Sequence, residues 1–173
     1  MPRRRDGVPG GGDPDLRRGV VIRCSWQPLA EVLAEPNAID MIRDYAEELS
    51  PLRDIEPVNP DWERISRLES DGLYHLWAAR ANNTLAGFIS FLVMPHHNYR
   101  NTLFAFDYGH YLSPAFRNTP GRLGLHMWRS VENPLRGMGV RFIMVHDGMR
   151  SLMPFFLYLG YEPRGGMYWK YLG

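Results

Sequence analysis

The stretch YLSPAFRNTPGRLG, residues 111–124, places two arginines, two prolines and two glycines between an aromatic run and an amphipathic helical pattern. Gly121 and Gly124 carry no side chain, so the backbone there can approach a ligand closely. The helix that follows directs free N–H groups and about half a positive charge toward this segment. Arg117 and Arg122 add guanidinium groups, whose planar fork suits phosphate. The segment therefore indicates a phosphate cradle, although similar turns also precede helices that bind nothing.

Outward from this loop, the hydrophobic pattern predicts a mixed α/β chain. Asn82 and Asn83 favour a tight hairpin turn between two strands, and Asp61 is suited to cap a helix. Pro134 should kink or shorten the helix that contains it. The strand over 139–146 is apolar almost throughout, as expected of a strand buried on both faces. Strands are expected over 19–26, 73–81, 85–94, 102–113, 139–146 and 167–172, and helices over 38–49, 61–70, 123–138 and 151–160.

The composition fits one globular domain. The chain has 173 residues, of which 45% are hydrophobic and 23% charged, and its net charge of +1 gives no global attraction to nucleic acid or acidic lipid. Residues 1–18, rich in Arg, Gly and Pro, are expected to form a flexible tail, and residues 19–173 a single domain. Cys24 is the single cysteine, which suits a reducing compartment. Because the chain has neither an apolar signal core nor a run long enough to span a bilayer, we expect a cytoplasmic protein without membrane contacts.

The order of these parts resembles the GCN5-related N-acetyltransferase (GNAT) superfamily from Leu73 to the end of the chain. In that family a strand ends in V-x-P-x-x-R, and R-x-x-G-x-G/A and a long helix follow; Pro114, Arg117, Gly121 and Gly124 supply these positions. A buried strand and a short helix ending in LGF or LGY form a second signature, which VRFIMVH and FFLYLGYEP match. The stretch AGFISF matches the strand before the acceptor site. The chain is most similar to the divergent members found in bacteriophage genomes, and the resemblance implies a central mixed sheet flanked by helices.

This resemblance implies an acyltransferase that moves an acetyl group from acetyl-coenzyme A to an amine by direct attack in a ternary complex. Acetyl-CoA is the expected cosubstrate, and a backbone N–H of the splayed central strand would stabilise the oxyanion. No metal is expected, because the adjacent His96 and His97 diverge on a strand; they are expected at the mouth of the acceptor site. The residues expected to contact coenzyme A are Leu112, Ser113, Arg117, Asn118, Gly121, Arg122, Leu123 and Gly124.

Two departures from the family pattern bear on this function. Three residues separate Arg117 from Gly121 and two separate Gly121 from Gly124, in each case one more than in the motif. Many members also carry a tyrosine four residues before the glycine of LGF, where it protonates the departing thiolate. Phe156 takes that position here, and Tyr158, the candidate to replace it, lies roughly 200° further around the helix.

Asp107 and His110 are the acid–base candidates, because a carboxylate or an imidazole in an otherwise aromatic strand is costly to bury without a partner. Strand alternation places Asp107 and Gly109 on one face and Tyr108 and His110 on the other, unless Gly109 marks a bulge. The two candidates are therefore expected to act separately. One alternative is that Asp107 pairs with an arginine while His110 packs against tyrosines, and another is a water chain without a dedicated base.

Three functions are open at this point. The first is the acetyltransferase, whose acceptor is a small amine, a protein lysine or N-terminus, or an amino group on a modified base. The second is a catalytically inactive binding or inhibitory module of the same fold, which Phe156 in place of tyrosine favours. The third is a nucleic-acid-associated protein that uses the basic tail and binds with a steep salt dependence. A homodimer is also left open.

Overall fold

A five-stranded mixed sheet with flanking helices forms the centre of the molecule. The computed structural model describes residues 21–49, 57–117, 122–145 and 152–163. The strands lie side by side in chain order. The first four strands pair with one another in antiparallel fashion, and the fifth is parallel to the fourth. This confirms the predicted mixed α/β fold. The expected tail over 1–18 and the expected strand over 167–172 lie outside the described residues.

The described elements follow the predicted order with two additions, both short helices. The strands are β1 (Ile22–Trp26), β2 (Tyr74–Ala81), β3 (Thr84–His96), β4 (Tyr99–Leu112) and β5 (Val140–Met144). The helices are α1 (Leu29–Leu33), α2 (Ala38–Leu49), α3 (Trp62–Ser70), α4 (Pro114–Arg117), α5 (Leu123–Gly137) and α6 (Met153–Tyr158). The main addition is α1, which is too short for a helical period to be evident in the sequence.

Local signals set several element ends as predicted. Helix α2 has the predicted bounds, and the Asp61 side chain accepts a hydrogen bond from the Arg64 N–H at 2.9 Å, which caps α3. Asn82 and Asn83 have φ values of 50° and 69°, the left-handed pair that a two-residue hairpin turn requires. This turn fixes the register of β2 against β3, and register decides which side chains face each side of the sheet.

Strands β3 and β4 continue through the polar segment 95–101, where a connection between strands is expected. β3 extends to His96 and β4 begins at Tyr99, so only two residues form the turn. The His96 ring lies 5.3 Å from the Tyr99 ring and 5.0 Å from the Phe104 ring, measured between centroids. Such cross-strand ring contacts stabilise a pair of strands. The predicted strand ends were wrong here because the polar residues pair across the hairpin.

β5 is less buried than its apolar sequence predicts. Val140 is buried on the side covered by α5, but Phe142 is 56% and Met144 is 44% exposed. Phe142 projects from the other side of the sheet and stacks on Phe104 at 4.9 Å. The prediction of burial on both faces was wrong, because an apolar run does not report which of its faces a helix covers.

The sheet carries a hydrophobic core on each side. One core packs against α5 and α6 and includes Ile89, Phe91 and Trp128; we call this side the α5 face. The other packs against α1, α2 and α3 and includes Leu76 and Tyr111; we call it the α2 face. Each buried side chain of this size contributes about 1.5–3 kcal/mol of transfer free energy. Within the described ranges, no helix has both the length and the apolarity needed to cross a membrane.

Candidate active site

A β-bulge in β4 lies at the centre of the candidate site. Ser90 of β3 pairs with Gly109 and the next residue, Phe91, pairs with Asp107, so Tyr108 has no partner position on β3. Gly109 is buried, and a methyl group added there would lie 2.8 Å from the Tyr45 Oη atom. The Ser90 hydroxyl donates to the Gly109 carbonyl at 3.1 Å. Gly109 therefore does mark a bulge, and the absence of its side chain lets Tyr45 approach the backbone.

The bulge places Asp107 and His110 on the same side of the sheet, the α5 face. The His110 Nδ1 atom lies 2.7 Å from Asp107 Oδ2, so Nδ1–H can donate to the carboxylate. The Asp107 side chain is 3% exposed and the His110 side chain 14% exposed. The expectation that these residues act separately was wrong, because one extra residue in the strand reverses the alternation after it. Asp107 pairs with His110 instead of an arginine.

Aromatic rings enclose this pair. The His110 ring packs edge-on against Trp128 at 5.4 Å and against Phe156 at 5.8 Å. Asp107 Oδ1 and His110 Nε2 are buried and have no hydrogen-bond partner among the described residues. Buried polar atoms are nearly always partnered in proteins, so two such atoms together indicate a place where a ligand or water is bound. His110 packs against these rings, not against tyrosines as one alternative has it.

Among the described residues, one edge of β4 has no partner strand beside this pair, and we call it the open edge. β4 pairs with β5 up to Phe106 and Met144, and then continues to Leu112. The Ser113 N–H donates to the Ala86 carbonyl of β3 at 2.9 Å. Because successive backbone groups of a strand point to opposite edges, the N–H groups of Leu112 and His110 point away from β3, toward the open edge. Ser113 contributes its N–H to the sheet instead.

The first turn of α5 follows that edge. Arg122 precedes the helix with φ of 51°, and the His126 N–H is the first to bond back, to the Arg122 carbonyl at 3.0 Å. The N–H groups of the first turn, including that of Gly124, come before this bond. Among the described residues, a methyl group at Gly124 would contact only a Leu112 methyl at 3.5 Å, so no other described atom fills the space beside Gly124. The Leu123 side chain is buried in the core, which leaves its backbone for binding.

Two of the predicted coenzyme A contacts, Asn118 and Gly121, lie outside the described residues. Arg117 is described, and its guanidinium donates two hydrogen bonds to Glu48 at 2.7 and 2.6 Å. Its Nε–H donates to the Leu112 carbonyl at 2.8 Å. This contact with Arg117 lowers the pKa of the Glu48 carboxyl. The Arg117 side chain is thus held against α2, and a contact with phosphate stays a prediction.

Tyr158 is not brought to the Asp107–His110 pair. Its side chain projects into solvent, 61% exposed, with the Arg129 guanidinium 5.4 Å from its ring centroid. Phe156, two positions earlier on α6, faces His110 instead. Side chains two positions apart on a helix point in directions that differ by about 200°, so only one of these two can face the Asp107–His110 pair.

A residue that the sequence reasoning missed lies on the α5 face. The Tyr161 hydroxyl is buried without a described hydrogen-bond partner, and its ring packs on Trp128 and Phe156. Burial raises the pKa of Tyr161, and the charges of Glu132 and Asp107 raise it further. Its only sequence signal is a hydroxyl where the LGF motif has none.

The α2 face presents tyrosines at the same bulge. Tyr45 contacts Gly109, and the Tyr74 and Tyr108 rings meet edge-to-face at 5.9 Å. Burial raises the pKa of Tyr74 to about 12, so its hydroxyl keeps its proton. The predicted position of His96 and His97 at an acceptor site stays a prediction; His96 ends β3, and His97 lies in the turn between β3 and β4. No cluster of metal-ligating side chains occurs in the part of the chain that the structure describes.

No protein-family model and no curated protein matches the sequence. Solved structures match at low identity. A GCN5-related N-acetyltransferase from Ralstonia eutropha JMP134 is 18% identical, with a TM-score of 0.63 over 88% of this chain and 100% of its own. An aminoglycoside acetyltransferase from an uncultured soil metagenomic sample is 12% identical, with a TM-score of 0.66 over 88% and 99%. A predicted acetyltransferase from Clostridium acetobutylicum with acetyl-CoA is 12% identical, with a TM-score of 0.62 over 88% and 97%. These likenesses confirm the GNAT fold, and the narrower resemblance to bacteriophage members stays a prediction.

Proposed function

We propose that this chain, which has the GNAT fold, is an acetyl-CoA-dependent N-acetyltransferase in which an amine attacks the acetyl group directly. The observation that supports this best is the open edge of β4. The N–H groups of His110 and Leu112 on this edge, which have no partner among the described residues, lie between a buried Asp107–His110 pair and the first turn of α5. A backbone edge with N–H donors, an acid–base pair and an anion site are groups that acyl transfer from a coenzyme A thioester can use.

The described residues fit acetyl-CoA as cosubstrate. The Leu112 N–H on the open edge suits the amide carbonyls of an extended pantetheine arm, in the manner of an added strand. The backbone N–H groups of Leu123 and Gly124 suit a phosphate, because a helix N-terminus attracts anions. Gly124 leaves the room that a phosphate needs. Arg122, exposed beside this turn, adds positive charge.

The chemistry of the transfer would fall to His110 and Asp107. Acetyl-CoA supplies the thioester that the amine attacks. The backbone N–H of His110, which points to the open edge, would donate to the thioester oxygen on which negative charge develops. The Nε2 atom of the His110 ring would accept the proton that the attacking amine loses, and the resulting imidazolium would return that proton to the leaving sulfur. Asp107 holds Nδ1–H and stabilises the imidazolium, so one residue serves as base and then as acid.

A second candidate is a coenzyme A-binding module without turnover. It is favoured by Phe156, which fills the position of the tyrosine that many GNAT members use to protonate the thiolate, and by the solvent-facing position of Tyr158. The two candidates agree on coenzyme A binding and differ only in transfer.

Calorimetry with coenzyme A, followed by thiol release from acetyl-CoA with a panel of amines, tests both candidates. The acetyltransferase predicts saturable binding and thiol release that depends on the amine. Binding without thiol release on any small amine, peptide or nucleobase amine supports the binding module. No binding at millimolar coenzyme A would overturn both.

A further inference from the structure

Tyr161 and His110 share one aromatic enclosure on the α5 face. The Tyr161 ring lies 6.0 Å from Trp128 and 5.5 Å from Phe156, measured between centroids. His110 contacts the same two rings at 5.4 and 5.8 Å, and these rings contact each other at 5.1 Å. Trp128 and Phe156 therefore hold both Tyr161 and His110 against the same side of the sheet.

Three buried polar atoms in this region have no described hydrogen-bond partner: Asp107 Oδ1, His110 Nε2 and Tyr161 Oη. Leaving such atoms unsatisfied is costly in a folded protein. Their chemistry is complementary, since an ionised carboxylate only accepts hydrogen bonds and a phenol donates one. Burial and the charge of Asp107 both raise the pKa of Tyr161, so this hydroxyl keeps the proton it would donate.

We propose that Tyr161 is a positioning residue whose hydroxyl donates to Asp107 Oδ1 through one bridging water. Asp107 is then held at both oxygens, by Tyr161 at Oδ1 and by His110 at Oδ2. The chain Tyr161–Asp107–His110 ends at His110 Nε2. The catalytic meaning of this chain rests on the proposed function, but the hydrogen bond itself does not, and its test needs no coenzyme A.

A double-mutant cycle tests the hydrogen bond. Denaturant unfolding is measured for the wild type, Tyr161→Phe, Asp107→Asn and the double variant. Tyr161→Phe removes only the hydroxyl, and we expect it to lower the folding equilibrium constant about fivefold. In the Asp107→Asn background the same change should have an effect of roughly twofold or less, because the charged acceptor is gone. Tyr158→Phe, which removes the exposed hydroxyl of the last residue of α6, three residues before Tyr161, is the matched control and should leave stability unchanged.

Ring-nitrogen NMR signals of His110 test the positioning. In the wild type we expect one form with the proton on Nδ1, held by Asp107, and in Tyr161→Phe a mixture of the two forms. A packing role for Tyr161 alone would not move these signals. If Tyr161→Phe has the same effect on stability in both backgrounds, or leaves the His110 signals unchanged, the proposal is wrong.

Discussion

A carboxylate and an imidazole inside a ring of aromatic side chains can move a proton with little loss to solvent. Asp107 accepts from His110 Nδ1, which fixes the imidazole tautomer and leaves the lone pair on Nε2. The same carboxylate stabilises the charge that appears when Nε2 takes up a proton. Because the Asp107 side chain is only 3% exposed, water screens this interaction little.

Replacing His110 by Asn removes the ring nitrogen to which we assign the proton transfer and keeps a polar side chain beside Asp107. We expect the rate of thiol release with a good amine to fall about 100-fold, which is a common contribution of a general acid–base residue. Coenzyme A affinity, measured by calorimetry, should stay unchanged, since the backbone N–H is retained. His126→Asn, an exposed position on α5, is the control and should keep the full rate. An unchanged rate in His110→Asn would assign proton transfer to a water chain.

Among the secondary-structure elements, β4 depends most on a single residue. Gly109 allows the bulge to pack under Tyr45, and the Ser90 hydroxyl of β3 donates a hydrogen bond to the Gly109 carbonyl. Gly109→Ala forces a methyl group into that contact, and we expect a loss of about 1–3 kcal/mol in the free energy of unfolding, as for other overpacked sites. Urea unfolding measures the loss.

Two further variants separate overpacking at Gly109 from general effects of replacing glycine. Tyr45→Phe removes the nearest atom, so in that background Gly109→Ala should cost less. Gly137→Ala, in α5, would place a methyl group where no atom of a described neighbouring residue lies within 4 Å, and it should be neutral or stabilising, because alanine favours helix. Equal costs of Gly109→Ala with and without the Tyr45 hydroxyl would contradict the explanation.

The first turn of α5 offers a direct test of the coenzyme A site. Gly124→Glu adds a negative charge where we propose that a phosphate binds, at a position whose added Cβ makes only an ordinary contact with Leu112. We expect affinity for coenzyme A to fall at least tenfold, about 1.4 kcal/mol, in calorimetry. Gly137→Glu adds the same charge at the other end of the helix and should bind normally. Equal affinities of the two variants would place the phosphate elsewhere.

Elements whose ends are determined by neighbouring residues in the sequence could be predicted. Features that depend on how distant elements pair could not. The bounds of α2 and the Asn82–Asn83 turn follow from nearby residues alone. The bulge depends on how β3 pairs with β4, which the sequence of β4 alone does not reveal. Simple strand alternation therefore predicted that Asp107 and His110 lie on opposite faces, whereas in the structure they lie on the same face. Tyr161 was missed for a similar reason, because only packing against Trp128 reveals that its hydroxyl is buried.

For the molecule as a whole, the ion pair of Arg117 and Glu48 links the segment after β4 to α2, an element from the first third of the sequence. The two partners are 69 positions apart in the sequence, and the guanidinium also donates to the Leu112 carbonyl at the end of the open edge. It further lies 5.1 Å from the Tyr111 ring centroid on the α2 face. The coenzyme A side of the proposed site is thus tied to the helices of the α2 face by one guanidinium.

This link predicts a pH dependence of stability. Hydrogen bonds from Arg117 lower the pKa of Glu48 in the folded state below its ordinary value of 4.5. A lowered carboxyl pKa stabilises the folded state above the ordinary value, and this contribution is lost as pH falls through the folded-state pKa. We therefore expect Glu48→Gln to be less stable than the wild type at pH 7 in urea unfolding, and the difference to shrink below about pH 4.5. Asp40→Asn, which breaks the more exposed Asp40–Arg43 pair, should show a smaller difference. A Glu48→Gln difference that does not change with pH would mean that packing, not charge, holds Arg117 against α2.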